Sequence, residues 1–285
     1  MIFRAVLLGA VMLFPAQGAW ALRILLTNDD GVGAVGIVSL QARLAAAGHD
    51  VTVIAPDKDM SGKSGSMTVR GTIMVDKRGE RVWAVAGTPA DCVHAGIDLI
   101  MRDAKPELVI SGTNFGQNAA TGLNISGTFG AARAAHSLGV PAIAVSQMFD
   151  PANRENTAAY FDDAAGMIVD LVALLTEGGR PLPSGMLLNV NHPLRDKDKV
   201  AGWRITAPAP ASGFRMAYEW ANDGTAMRVT LQPVRIQFPA GSDEAAIADG
   251  AVSISPLNDM FGIDTDLEGW LKGEIAARGA PVPAN

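Results

Sequence analysis

Thr27-Asn28-Asp29-Asp30-Gly31 closes the apolar run Ile24-Leu25-Leu26 and precedes a helical pattern carrying Ile37, Leu40 and Leu44. A short, fully apolar strand followed by an amphipathic helix is the opening unit of a parallel α/β sheet. Ligands of such sheets bind outside the carboxyl ends of the strands. At that point the chain sets two adjacent carboxylates, Asp29 and Asp30. Their mutual repulsion must be offset by water or a cation, and hard divalent cations take oxygen ligands of this kind. Asn and Asp also favour helix N-caps, so the turn alone leaves capping and metal binding both open.

Outward from this turn, residues 36–47 read as a helix closed by Gly48 and residues 51–55 as a second strand ended by Pro56. Residues 68–75 and 81–86 read as two arms of a hairpin that turns near Gly79. Thr88-Pro89 opens a helix with Pro in its first turn, running to about Met101. Residues 107–110, 142–145 and 187–190 read as buried strands, and residues 129–138 and 157–175 as helices. Strand and helix alternate, which predicts an α/β fold with a doubly wound, mostly parallel sheet. Beyond about Lys199 the pattern changes. Residues 203–206, 218–220 and 227–236 read as strands without intervening helices, a β-rich C-terminal extension. Residues 252–254 read as a late strand, residues 264–276 as a final helix, and Pro281-Val282-Pro283 as a mobile tail. Residues 22–285 are thus read as one domain, with a core over about 22–199 and the extension over about 200–285.

The 285 residues are 48% hydrophobic and 18% charged, enough for a substantial core. A net charge of −6 gives no basic surface for a nucleic-acid duplex. An acidic protein that binds an anion needs a cation or backbone dipoles to do so. The single cysteine, Cys92, excludes an intramolecular disulfide. Val93 and Ile97 beside it mark a buried helix position, so Cys92 reads as a small core residue rather than a catalytic thiol. At the amino terminus a positive segment ending at Arg4 precedes the apolar residues 5–14, breakers at Pro15 and Gly18, and Ala19-Trp20-Ala21. These are the parts of a secretory signal peptide over residues 1–21, too short to span a membrane comfortably. They predict a protein exported to the periplasm, with no membrane span after cleavage.

Three further loops fall at strand ends. Ser61-Gly62-Lys63-Ser64-Gly65-Ser66 offers hydroxyls, backbone N–H groups and one point charge, and equally describes a flexible loop. Ser111-Gly112-Thr113-Asn114-Phe115-Gly116-Gln117-Asn118 offers neutral amide oxygens, which suit a hard cation, on ordinary turn residues. Ser126-Gly127-Thr128 directly precedes a helix, where unpaired N–H groups accept an anion or a hydroxyl caps the helix. Together these loops suit a metal-bound phosphate better than a nicotinamide cofactor. A dinucleotide fold wants Gly-x-Gly-x-x-Gly after the first strand, and the carboxylates here would repel a pyrophosphate lacking a metal.

Residues 23–31, Ala55-Pro56-Asp57 with Ser61-Gly62, residues 87–93, residues 109–114 and Ser126-Gly127-Thr128 together resemble the SurE family, in its order and near its spacing over most of residues 23–191. The resemblance implies a Rossmann-like core and hydrolysis of nucleoside 5′- and 3′-monophosphates. It implies a divalent cation, Mg or Mn, held by Asp29, Asp30, Ser61 and Asn114. Ser126-Gly127-Thr128 corresponds to the loop that meets the phosphate, and Asn118 is assigned to the phosphate with it. Asp29 and Asp30 are the expected catalytic residues. A C-terminal extension used in homodimer or tetramer contacts is implied as well. Three departures remove polar side chains from these loops. The family usually reads Val-His-Ala-Pro-Gly where this chain has Val32-Gly33-Ala34-Val35-Gly36. Many members carry His-Ser or Asn-Ser at Gly65-Ser66, and Gly-Asp-Asp at Ala120-Thr121-Gly122.

Of the four histidines, His49, His94 and His136 read as structural or solvated. His192 follows a strand end and is the candidate general acid. The leading expectation is an exported, metal-dependent phosphomonoesterase acting on nucleoside monophosphates. The alternatives are a broader exported acid phosphatase, and a SurE-like protein that binds nucleotide or metal without turnover. Typical family members imply a cytoplasmic location instead.

Overall fold

Strand β1 (Arg23–Thr27) is an interior strand, fourth in order, of a nine-stranded sheet, and its residues from Ile24 onward are fully buried. The computed structural model describes residues 21–150, 153–258, 263 and 265–278. The expected signal peptide, apart from Ala21, and the Pro281-Val282-Pro283 tail lie outside the described residues.

From β1 the chain runs through α1 (Val35–Ala46), β2 (Asp50–Pro56), β3 (Val75–Gly79), β4 (Val82–Val85) and α2 (Pro89–Ala95), then β5 (Leu108–Phe115) and α3 (Gly127–Ser137). It continues through β6 (Ala142–Gln147), α4 (Arg154–Ala159), α5 (Phe161–Leu175), β7 (Leu187–His192) and β8 (Trp203–Ile205). The last elements are β9 (Phe214–Ala221), β10 (Ala226–Pro233), α6 (Asp243–Ala248), β11 (Val252–Pro256) and α7 (Thr265–Ala277). The sheet order is β3-β4-β2-β1-β5-β6-β7-β11-β8, parallel except where β3 meets β4 and β11 meets β7. Strands β9 and β10 pair antiparallel with each other as a separate two-stranded sheet.

Alternation along β1 divides the core. Ile24 and Leu26 pack on the side of α1, α5 and α7, against Ile37, Ile168 and Leu271 among others. Leu25 packs on the other side with Cys92 and Val93 of α2 and Phe129 of α3. Successive strand side chains point to opposite faces, and each buried Leu or Ile contributes about 2 kcal/mol. Cys92 is part of this core, and burial pushes its thiol pKa up.

Strand order reverses at β1: β2 lies on one side and β5 on the other. A crevice therefore opens at the carboxyl ends of β1 and β5, where the Asp29-Asp30 turn falls. The expected doubly wound, mostly parallel fold with a β-rich C-terminal part is what the chain adopts.

Several elements differ in extent. The first arm of the hairpin is Val75–Gly79 rather than residues 68–75. Thr68 is removed from any ladder because its N–H and its hydroxyl both donate to the Asp91 carboxylate at 2.9 Å. Asp91 at the same time forms a capping box with Thr88 at the start of α2. The expected helix to Met101 changes to a π-helical turn over Gly96–Ile100. The expected helix over residues 157–175 is divided at Tyr160 into α4 and α5. Residues 111–115 continue β5, because Asn114 and Phe115 still pair with Ser146 and Gln147 across a bulge. Helix α6 falls between the expected strand ending at residue 236 and the late strand at residue 252, where no helix is expected from sequence, and β8 and β11 join the main sheet.

Candidate active site

Asp29 is only 3% exposed, although it lies in the turn after β1 and lines a cleft of about 660 Å³. Its backbone carbonyl accepts the N–H of Met60 at 2.7 Å, which ties the turn to the loop after β2. Its carboxylate Oδ1 accepts the Thr128 hydroxyl at 2.6 Å. Its Oδ2 lies against Gly127 so closely that a Cβ there would come within 2.8 Å. Glycine at 127 therefore lets the first turn of α3 approach the carboxylate. Burial raises the Asp29 pKa. The Thr128 hydroxyl and the backbone N–H groups of Asp29 and Thr128 oppose that, and Asp59 adds repulsion.

The loop holding Ser61 is fixed from two directions. Ser61 N–H donates to Asp59 Oδ1 at 2.7 Å. Ser64 donates its N–H to the Ile125 carbonyl and its hydroxyl to the Asn124 carbonyl. A Cβ at Gly130 would meet the Ser64 carbonyl oxygen at 2.1 Å, so the loop lies directly on α3.

The site residues expected from sequence divide into two sets. Asp29, Ser61, Asn114, Asn118 and Ser126 line the cleft. Asn114 Nδ2 donates to the Gly116 carbonyl at 2.6 Å, which turns the amide so that Oδ1 remains as acceptor. Asp30 is not among the lining residues. Its Oδ2 accepts the N–H of Phe115 at 3.0 Å and so joins the β1 turn to the end of β5. Gly127 and Thr128 stand behind Asp29 rather than on the cleft surface. Ser126 is the N-cap of α3, its hydroxyl accepting the Phe129 N–H at 2.9 Å.

Asn118 is held from the next strand over. Its N–H donates to Asn191 Oδ1 at 2.8 Å, and its carbonyl accepts Asn189 Nδ2 at 2.8 Å and Asn191 Nδ2 at 3.2 Å. Its own Nδ2 donates to Ser146 Oγ at 3.1 Å. Sequence reasoning passed over Asn189 and Asn191. Their i, i+2 spacing on an otherwise buried strand is the signal that both point to one face. His192 is 1% exposed, is not among the cleft residues, and pairs its Nδ1 with Gln147 Oε1 at 3.0 Å. Burial lowers its pKa to about 4, so the ring is neutral at pH 7.

The far wall of the cleft was not foreseen. Phe214, Arg215 and Met216 of β9 and Leu231 of β10 face Phe115 and Phe149 from the sheet side. Arg215 is the basic residue among those lining the cleft. Of the three departures in the site loops, Thr121 and Gly122 reach the cleft, whereas Gly33 and Gly65 are solvent-exposed and do not line it.

The oxygen donors here suit a hard divalent cation. Two observations support the fit: Asp29 is a desolvated carboxylate whose one charged influence, Asp59, is itself negative, and the neighbouring Asn28 Oδ1 is buried with no hydrogen-bond partner among the described residues.

A sheet with its strand-order reversal at β1, a buried acidic turn there and an apolar-walled cleft define an α/β protein of the doubly wound, small-ligand-binding class. The family model described as "Survival protein SurE" matches residues 24–213, and the chain belongs to the SurE family. It is 36% identical over 239 residues to a protein named 5′-nucleotidase SurE from Azorhizobium caulinodans, covering 83% of this chain and 92% of that one. It is 37% identical over 271 residues to one of the same name from Xanthomonas campestris pv. campestris, covering 92% of this chain and 100% of that one. The crystal structure of the SurE protein from Aquifex aeolicus matches with a TM-score of 0.71 at 28% identity, covering 88% of this chain and 98% of that one.

Proposed function

We propose that the chain is a divalent-cation-dependent phosphomonoesterase that hydrolyses nucleoside 5′-monophosphates, and 3′-monophosphates as well, to nucleoside and phosphate. The observation that carries this reading is the buried Asp29 carboxylate, seated on the first turn of α3 at the cleft. Relatives named 5′-nucleotidase that align with most of this chain support it. Asp29, Asp30, Ser61 and Asn114 would hold Mg or Mn, which acts as a Lewis acid on the phosphoryl oxygens.

Asp29 orients the attacking water, and the Thr128 hydroxyl fixes the rotamer in which it does so. The positive end of α3, whose N-cap Ser126 lines the cleft, stabilises charge on the phosphate. Asn118, held rigidly by Asn189 and Asn191, offers its amide from the other side. The aromatic and aliphatic wall of Phe149, Phe214 and Met216 suits a nucleobase. Thr121 and Gly122 place no acidic side chain in that slot, which favours a loose substrate preference extending to other phosphomonoesters. Release of phosphate from a nucleoside monophosphate, with and without a chelator, tests the reading. Turnover that is indifferent to the chelator would overturn the cation requirement.

The protein is further proposed to be exported to the periplasm, from the order of charge, apolar run and Ala19-Trp20-Ala21. Amino-terminal sequencing from the native host tests this, Leu22 being the expected first residue. It is also proposed to form a homodimer or tetramer. Met216, Tyr218 and Trp220 lie opposite Leu231, Val229 and Met227 on one exposed face of the hairpin, the kind of patch that marks an interface. Trp220, at 75% exposure, is the residue to change: Trp220→Glu should lower the sedimentation coefficient. Among the described residues no helix is long and apolar enough to cross a membrane.

A further inference from the structure

Asp243 and Glu244 open α6, 0% and 5% exposed, and neither lines the cleft. Both carboxylates are directed at backbone of the cleft walls. Asp243 Oδ2 accepts the N–H of Ala120 at 2.8 Å, and Oδ1 accepts the N–H of Ala209 at 2.9 Å and of Glu244 at 2.8 Å. Glu244 Oε1 accepts the N–H of Gly213 at 2.9 Å and the Ser212 hydroxyl at 3.2 Å.

The walls so joined come from distant parts of the chain. Ala119, Thr121 and Gly122 line the cleft beyond β5, and Ser212 and Phe214 line it at the stem of the hairpin. Ala120 adopts a φ of +52°, a backbone region unfavourable to a residue with a Cβ. Such a conformation persists only where its surroundings fix it, and Asp243 holds its N–H. The hairpin has no ladder to the main sheet, so its stem depends on bonds of this kind for its place.

We propose that Asp243 is a positioning residue for the reaction, assisted by Glu244. Together they hold the hairpin wall against the loop after β5, and so fix the width of the slot that receives the nucleoside part of the substrate. This rests on the nucleotidase reading of the cleft. A substrate with no nucleoside does not use that slot.

The test is steady-state kinetics of Asp243→Asn on a nucleoside 5′-monophosphate and on a short alkyl phosphate, with amide hydrogen exchange on the same protein. The substitution keeps size but trades an acceptor oxygen for a donor, so Ala120 or Ala209 loses its partner. The expected result is a KM for the nucleotide raised about tenfold with kcat nearly unchanged, the size set by one lost buried hydrogen bond. The KM for the alkyl phosphate should stay at the wild-type value, and exchange at Ala120 or Ala209 should accelerate. Glu244→Gln retains Oε1 and should behave as wild type, whereas Glu244→Ala should shift the nucleotide KM in the same direction. Equal losses on both substrates, in step with a lowered Tm, would overturn the positioning role. If Asp243→Asn does not fold, Glu244→Ala decides on the same KM comparison. If the wild-type protein turns over neither substrate, the nucleotidase reading falls, and the clamp is then judged on exchange alone, which must accelerate at these amides for it to stand.

Discussion

Asp29 and Asp243 are both buried carboxylates with pKa values raised by burial, the first lining the cleft and the second bonded to backbone of its walls. Asp243 is saturated by the protein: both oxygens accept backbone N–H groups. Asp29 draws on one hydroxyl and on backbone N–H groups of its own turn and of Thr128, and it lines the cleft, with Oδ2 against Gly127 behind it. A desolvated carboxylate filled with donors is a fastening. One that lines a cleft beside further oxygen donors suits the cation proposed above. Burial and a raised pKa, taken alone, do not tell the two apart; the place of each carboxylate relative to the cleft does.

The sharpest way to break this contrast is Asp29→Asn. Phosphatase activity should fall about 10³-fold, since a hard cation loses an anionic ligand and several kcal/mol of charge stabilisation. Stability without metal should hold or rise. The raised pKa means ionisation of Asp29 opposes folding, and the amide removes that opposition. Melts and cation titrations on one preparation measure both. An Asp29→Asn protein that binds Mg and turns over like wild type would place the site elsewhere.

His192 supplies a control, a buried titratable group whose charged form burial disfavours more than Asp163 and the Pro193 backbone favour it. Its folded pKa of about 4 lies below the ordinary value of 6.5. The stability it contributes is therefore present above pH 6.5 and lost as pH falls toward 4. That loss is about 3 kcal/mol. Urea denaturation at pH 7, 5 and 4 reads it, and His192→Gln should flatten this part of the profile.

Asp243→Asn should do the opposite of Asp29→Asn and lower stability by about 2 kcal/mol, because a buried N–H loses its acceptor. A melt unchanged from wild type would erase the distinction between the two carboxylates. The smallest effect is expected for Asn114→Ala, which deletes a neutral ligand. Cation affinity should fall about tenfold, less than for Asp29→Asn. Calorimetric titration with Mn decides the ranking.

What could be read from sequence follows from locality. The buried strand Ile24-Leu25-Leu26 and the acidic turn are contiguous, so composition and period reveal them together. Asn114 was recognisable as a ligand type but not as part of a strand, because the bulge that carries it depends on pairing with β6. Asp30 looked equivalent to Asp29. Only the fold shows that its Oδ2 is taken by Phe115 N–H, a partner 85 residues away. Asp243 at the start of a short helix is indistinguishable from an ordinary helix-start acid until Ala120 and Ala209 are seen beside it. The hairpin wall escaped notice because Phe214 and Met216 read as any apolar strand residues. Their role comes from where the ribbon is placed.

The self-contained ladder between Phe214–Ala221 and Ala226–Pro233 also makes the ribbon an exchangeable cassette. Every interstrand bond from Phe214↔Pro233 to Ala221↔Ala226 closes within it, so grafting another ribbon between Gly213 and Val234 disturbs no register of the main sheet. Two anchoring points then matter for a graft. The Ser212-Gly213 stem must still meet Glu244, and the Val234 N–H must still reach the Gly213 carbonyl, now at 2.7 Å. On the nucleotidase reading proposed above, substrate range is accordingly open to redesign by transplanting twenty contiguous residues, with the chemistry proposed at Asp29 left in place.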